Sequence, residues 1–288
     1  MDQAIIDSEN EPVLLAHIQS LLKENQIFAL LVRSTDRYFN EYVPKSESIR
    51  TRLTGFDGSV GDAIITTDSA HLFVDGRYTL QAKAQAKGFR VHQCQSSQSI
   101  EATWMEFLKE VLKPNDVLAY DPSTIDLRLF DRLDKNTSGL KAKIRPDAQN
   151  FFARLLDFAS GQKNVPNMTV FTVKPDLCGQ TPEEKLAILA PILRLHDVDG
   201  FLSVKLDDIA WLTNLRSLFF PFQTVIPGIL CVHGQGMLFG INSSFRGTVN
   251  STKQLEIVDE NEIFQAIRRK FNGSRFILGI DRGETSKA

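Results

Sequence analysis

The segment Asp75-Gly76-Arg77-Tyr78 is the part of this sequence best suited to chemistry. It follows the apolar run Leu72-Phe73-Val74 and precedes a helix-forming stretch. That places it at the carboxyl end of a strand, where open α/β sheets bind their ligands. Asp75 is spaced to cap the helix through the Tyr78 amide. Arg77 falls in the first turn, where a cation opposes the helix dipole by about 0.3–1 kcal/mol. It therefore calls for an anionic partner, either an internal carboxylate such as Asp57 or a group on a bound ligand.

Other candidates fit catalysis less well. A two-metal hydrolase centre needs several carboxylates and a histidine around ions about 3.5–4 Å apart. The five histidines, His17, His71, His92, His196 and His233, are scattered, and none sits in a metal-binding spacing. They read as surface or edge residues, and no catalytic or metal-ligating residue is assigned. Asp207-Asp208 reads as an N-cap for the helical turn that follows, because adjacent carboxylates diverge on both strands and helices. The glycines of Gly55–Gly61 and Gly234–Gly240 lead into strands and lack a GK[ST] ending, so they serve tight turns rather than phosphates.

The elements that must position Arg77 occur twice. Helical periodicity over Val13–Lys23 precedes a buried strand, Ile27–Val32. A hairpin of Ala63–Thr66 and His71–Val74 follows, then a helix from Tyr78 to Gly88 and a strand, Phe89–Gln93. A helix at Ile100–Leu112, with Trp104 in the core, and a strand at Val117–Tyr120 come next. The second half repeats this order. A helix opens at Thr181-Pro182-Glu183-Glu184 with capping-box spacing. Strands follow at Gly200–Val204, Gly228–Val232, Met237–Ile241 and Leu255–Val258, then a helix at Glu262–Lys270 and a strand at Phe276–Ile280. Leu72 and Leu238, Val91 and Ile257, and Asp121 and Asp281 recur at near-constant separation, which indicates a duplicated α/β domain. The expected units are residues 1–162 and 163–288, each a mixed sheet flanked by helices. After Asp121 the first copy continues through a helix (Thr124–Lys135) and a strand (Leu140–Ile144). After Asp281 only seven residues remain, so the second copy is expected to be truncated.

With 288 residues, 42% hydrophobic and 24% charged, and a net charge of −2, the chain has an ordinary globular composition. Neither nucleic acid nor a membrane is expected as a partner, since no stretch approaches the roughly 20 apolar residues of a membrane span. Cys94, Cys178 and Cys231 form no disulfide or zinc pattern, and a reduced, cytoplasmic protein is expected.

Four ordered segments carry a family resemblance: Ser34–Pro44 (STDRYFNEYVP), Gly55–Thr66 (GFDGSVGDAIIT), Phe73–Tyr78 (FVDGRY) and Leu206–Arg216 (LDDIAWLTNLR). They resemble the creatinase-like N-terminal region of three-domain Xaa-Pro aminopeptidases (aminopeptidase P). The chain departs from that pattern after Arg216, where Ser217–Phe222 replaces a polar run. The resemblance implies the non-catalytic, N-terminal part of a cytosolic metallo-aminopeptidase that removes the residue preceding proline. It implies a third domain, outside this chain, holding two divalent metals, usually manganese. It also implies a homodimer, peptides with proline second as substrates, and a substrate contact for Arg77. This chain alone is expected to be inactive. The rival expectation is a stand-alone, non-catalytic binding or dimerisation module, or the partner of a separately encoded catalytic half.

Overall fold

The computed structural model describes residues 11–44, 48–146, 169–220, 222–242, 245, 249–271 and 275–287. Two compact units divide the chain. One comprises Met1–Arg37, Val43–Lys163 and Ser286–Ala288; the other comprises Tyr38–Tyr42 and Asn164–Thr285. The linker expected at Ser160–Pro166 lies outside the described residues.

In the first unit the chain runs α1 (Glu11–Glu24), β1 (Ala29–Val32), α2 (Ile49–Thr54), β2 (Asp62–Thr66), β3 (Ala70–Val74), α3 (Thr79–Gln85), β4 (Arg90–Gln93), α4 (Ile100–Val111), β5 (Val117–Tyr120), α5 (Leu127–Gly139) and β6 (Lys143–Pro146). The strands form a mixed sheet in the order β4-β3-β2-β1-β5-β6. β2 is antiparallel to both β1 and β3, while β3–β4, β1–β5 and β5–β6 are parallel. Central strands with helices on both faces must be apolar on both sides. Leu30 and Val32 accordingly meet Leu14, Ile18 and Leu22 on one face, and Ala29 and Leu31 meet Trp104, Leu108 and Leu129 on the other.

The second unit runs β7 (Val170–Thr172), α6 (Pro175–Cys178), α7 (Pro182–Leu195), β8 (Gly200–Ser203), α8 (Leu206–Thr213), β9 (Leu215–Ser217), β10 (Gly228–His233), β11 (Gly236–Ile241), β12 (Leu255–Asp259), α9 (Ile263–Lys270) and β13 (Leu278–Ile280). Its sheet has the order β12-β11-β10-β8-β13. Strand directions repeat those of the first sheet, with β8, β10, β11, β12 and β13 in the places of β1 to β5. Where β6 flanks β5, β13 has no outer neighbour among the described residues. The capping box at α7 is formed: Glu184 N donates to Thr181 Oγ1 at 3.2 Å, and Thr181 N donates to Glu184 Oε2 at 2.7 Å.

Three expectations are corrected. The helix expected at Thr124–Lys135 starts at Leu127, because Asp126 accepts the Leu129 amide at 2.8 Å and so acts as the cap; the strand after it moves to Lys143–Pro146. Asp207 and Asp208 are not N-caps. Helix α8 begins at Leu206 after Lys205, and both carboxylates sit in its first turn, where negative charge complements the dipole. The two-stranded ribbon β7–β9 has no counterpart in the expected pattern.

Candidate functional site

Strand β3 ends at Val74, and the chain turns into a single 3-10 turn, Gly76–Tyr78, before α3. Asp75 caps that turn. The amide it accepts is that of Arg77, at 2.9 Å, rather than that of Tyr78, because the 3-10 turn is tighter than an α-helical one. The same carboxylate grips the Arg77 guanidinium. Nη2 donates to Oδ2 at 2.6 Å, and Nε donates to both oxygens at 3.1 and 3.2 Å. This forked pairing holds the Asp75 carboxyl below its usual range. The carboxylate holding Arg77 is therefore its own cap residue, not Asp57, which accepts from the Gln81 and Gln85 amides at 2.8 Å. The Arg77 side chain remains 70% exposed, within reach of an external anion or carbonyl.

The loop Gly55–Gly61 braces this turn. Phe56 is fully buried and meets the Tyr78 ring edge-on, with centroids 5.7 Å apart. Ser59 Oγ and the Tyr78 hydroxyl are hydrogen-bonded at 2.8 Å. Buried Arg50 donates one Nη to the Phe56 carbonyl and the other to the Gly58 carbonyl. Burial pushes its pKa down to about 10, and its guanidinium carbon lies 4.8 Å from the centre of the Phe56 ring. Gly58 has no space for a side chain: a Cβ there would stand 2.3 Å from Phe56 Cζ and 2.7 Å from Tyr78 Cδ1. Gly61 has a φ of +150° and lies against Val74. Two motifs separated in sequence thus form one rigid support beneath Arg77, and the glycines serve close approach rather than phosphate binding.

A second polar cluster, not foreseen, occupies the same end of the central strands. Arg33, just past β1, donates to Asp62 at 2.6 Å and to Glu101 at 3.1 Å. Trp104 Nε1 donates to Asp62 at 3.1 Å, and the Ser34 amide donates to it at 3.0 Å. Burial opposes the charge of Arg33, but Asp62 and Glu101 outweigh it and raise its pKa. A carboxylate, Asp62, opening an otherwise apolar strand was the available signal, yet nothing in the sequence ties it to Arg33.

The histidines also differ from expectation. His71 and His233 are buried rather than exposed at edges. His71 Nδ1 and His92 Nε2, on adjacent parallel strands, are 2.9 Å apart, and His71 Nε2 lies 2.9 Å from Ser69 Oγ. Burial, then the His92 and Arg90 charges, lower the His71 pKa to about 4; burial and Arg90 lower that of His92. Among the described residues no group of three or more His, Cys, Asp or Glu side chains is placed to hold a metal ion. The described residues therefore do not fit a two-metal centre. The Ser217–Phe222 run is divided: Phe220 is buried, while Leu218 and Phe222 are exposed. No helix of the described residues is long and apolar enough to cross a membrane.

Comparison with known proteins agrees with this architecture. Two family models, both described as Creatinase/Prolidase N-terminal domain, match residues 15–145 and 161–288. "Probable Xaa-Pro aminopeptidase P" of Laccaria bicolor is 31% identical over 214 residues, covering 73% of this chain and 32% of that protein. Its namesake in Coprinopsis cinerea is 30% identical over 222 residues, covering 74% of this chain and 35% of the relative. The chain thus spans about a third of the length of these relatives. A crystal structure of X-prolyl aminopeptidase from Caenorhabditis elegans, described as a cytosolic enzyme with a di-nuclear active site, shares the fold. Its TM-score is 0.82 at 21% identity, over 96% of this chain and 47% of that one. With the repeated sheet, both matched domains and these relatives in agreement, the chain belongs to the creatinase/prolidase N-terminal domain family and carries that domain twice.

Proposed function

We propose that this chain is the N-terminal, non-catalytic part of a cytosolic Xaa-Pro aminopeptidase, and that Arg77 binds the peptide substrate of that enzyme. The observation that carries the reading is the Arg77 side chain itself: exposed, oriented by the Asp75 fork, and carried on a turn braced by Arg50, Phe56 and Tyr78. Such a guanidinium can hold a carboxylate or carbonyl oxygen of a peptide without rearranging. Hydrolysis at proline would require two divalent metals, with manganese as the proposed ion, in a domain beyond the residues described here. These two domains would then shape access to that centre and support a homodimer.

The test measures one substitution in two settings. In this chain Arg77→Ala should leave stability within about 1 kcal/mol, because an exposed ion pair contributes little. In an enzyme that joins the chain to a catalytic domain, the same change should lower kcat/KM by roughly 10- to 100-fold, the worth of a charge-assisted hydrogen bond. Unchanged kcat/KM in the joined enzyme would reduce Arg77 to a structural residue. The chain alone, assayed on an Xaa-Pro peptide with added manganese, should show no turnover.

A further inference from the structure

An arginine that recognises a chain terminus and one that recognises an interior peptide bond need different surroundings. A terminal carboxylate is bound best by an uncompensated guanidinium, which meets it with two parallel N–H bonds and a full opposite charge. A backbone carbonyl is a neutral acceptor that a single N–H satisfies. Arg77 is not set up for the first task. Asp75 takes its Nε–Nη2 edge, through contacts of 3.1 and 2.6 Å to Oδ2. The guanidinium also lies against the Tyr78 ring, 5.4 Å from its centre. The side chain is thereby oriented and its charge offset, while most of its surface stays open to solvent.

The surroundings act in the same direction. Cys94 lies beside the start of the turn, its amide donating to the Val74 carbonyl at 2.8 Å. Burial, and then the Asp62, Asp75 and Glu101 carboxylates, raise the pKa of its thiol against a hydrogen bond with Thr103. These three carboxylates therefore act on one place at this end of the sheet. Arg33 is already held by two of them, Asp62 and Glu101. Arg50, beneath the loop, faces Asp57 as well as Asp62. Arg33, Arg50 and Arg77 thus stand against Asp57, Asp62, Asp75 and Glu101, and the balance is negative by one charge. A ligand carboxylate reaching Arg77 would add a further negative charge next to Asp75, whereas a carbonyl oxygen would add none.

We propose that Asp75 is a specificity-determining residue: it makes Arg77 select a neutral backbone carbonyl of the peptide over a terminal carboxylate, so that the substrate chain continues past the residue Arg77 holds. This deepens the substrate reading of Arg77 given above and rests on it.

Two probes that differ in charge, N-acetylprolinamide and N-acetylproline, test this on the whole chain. The Nε–H resonance of Arg77, identified by its loss in Arg77→Lys, is followed by NMR as each probe is added at about pH 6, where N-acetylproline is a carboxylate. The amide should bind wild type more tightly than the carboxylate does. Asp75→Asn removes the charge but keeps a side-chain oxygen of equal capping quality, so the unfolding midpoint should change little. It should tighten carboxylate binding by about three- to ten-fold and leave amide binding within about two-fold. Asp75→Ser, a second uncharged cap, should shift the ratio in the same direction. The gain should fade as salt is added, because it is electrostatic.

A wild type that prefers the carboxylate would overturn the proposal. So would an Asp75→Asn variant whose ratio of the two affinities equals that of wild type. Either result would leave Arg77 a binding residue, with Asp75 serving only to cap and orient. If neither probe moves the Arg77 resonance in wild type or variant, the substrate reading of Arg77 fails and this inference fails with it.

Discussion

Gly58→Ala tests whether the Gly55–Gly61 loop braces the Arg77 turn. The added Cβ would lie 2.3 Å from Phe56 Cζ, 2.8 Å from Phe56 Cε2 and 2.7 Å from Tyr78 Cδ1. Neither ring can yield cheaply. Phe56 is fully buried beneath Arg50, and Tyr78 is tied to Ser59. Gly58 does not have a left-handed φ, so the cost is steric rather than conformational. Overpacking of this kind costs about 1–3 kcal/mol, which for a unit near this size lowers the unfolding midpoint by roughly 3–10 °C. The chain has two tryptophans, and in a Trp211→Phe background Trp104 alone reports on the first unit. Gly139→Ala is the control. Nothing lies within 4 Å of its Cβ position, and the substitution should be neutral or stabilising by about 0.4–1 kcal/mol. A Gly58→Ala loss below about 0.5 kcal/mol, indistinguishable from the surface range, would refute the bracing argument.

Two further outcomes are expected. His71 and His92 are neutral in the folded first unit, with pKa values below the ordinary 6.5, so an unfolded chain takes up protons that the folded one refuses. Their contribution is complete above pH 6.5 and is lost as the pH falls towards about 4. Against the wild type, His71→Gln should show a shallower decline of Trp104-monitored stability between those limits, and parallel curves would refute the assignment. In hydrogen exchange β13 should be less protected than β5, because β5 pairs on both sides with β1 and β6, whereas β13 pairs with β8 alone among the described residues. Equal protection would mean that the outer edge of β13 is covered.

Apolar runs bounded by turn residues made most strands legible. Val117–Tyr120 is a strand over the residues expected, and the repeat in the sequence is the repeat in the two sheets. What was not legible depended on side chains meeting over long separations or on competition between caps. Asp121 and Asp126 both cap, and the sequence does not say which of them opens the α-helix; the 3-10 turn at Pro122–Thr124 takes the first. Tyr38 lies in a stretch that reads as a polar loop, yet its hydroxyl donates to buried Glu260 at 2.8 Å. His71 and His92 meet because β3 and β4 are parallel neighbours, a pairing that no spacing within either strand reveals. At the candidate site, the Asp75 cap was legible as local chemistry, whereas the partner of Arg77 depended on whether the turn was 3-10 or α.

The duplication separates what the fold requires from what function requires. Both sheets keep the antiparallel pairs β1–β2–β3 and β8–β10–β11, and both add a parallel strand at each side. These are the positions whose apolar residues close the two cores, and they change little in kind between the copies. The turn after the third strand behaves differently. In the first copy it reads Asp75-Gly76-Arg77-Tyr78, and after the equivalent β11 the chain reads Asn242-Ser243-Ser244-Phe245. The outward face of the first helix also diverges, from His17, Ser20 and Glu24 in α1 to Ile188, Pro191 and Leu195 in α7. A scaffold position free to vary without loss of packing is one on which binding can be built, so the two places where the copies part most sharply are where binding is to be sought. By this logic, transplanting Asp75–Tyr78 onto the end of β11 should leave that sheet intact without creating a second Arg77-like site. The brace beneath that turn belongs to the first copy alone: with Asp62 set on Gly228, Arg216 stands at the place of Arg50 but donates to the Ala210 and Leu215 carbonyls, and Phe222-Gln223-Thr224-Val225-Ile226-Pro227 has no glycine where Gly58 lets Phe56 close on Tyr78.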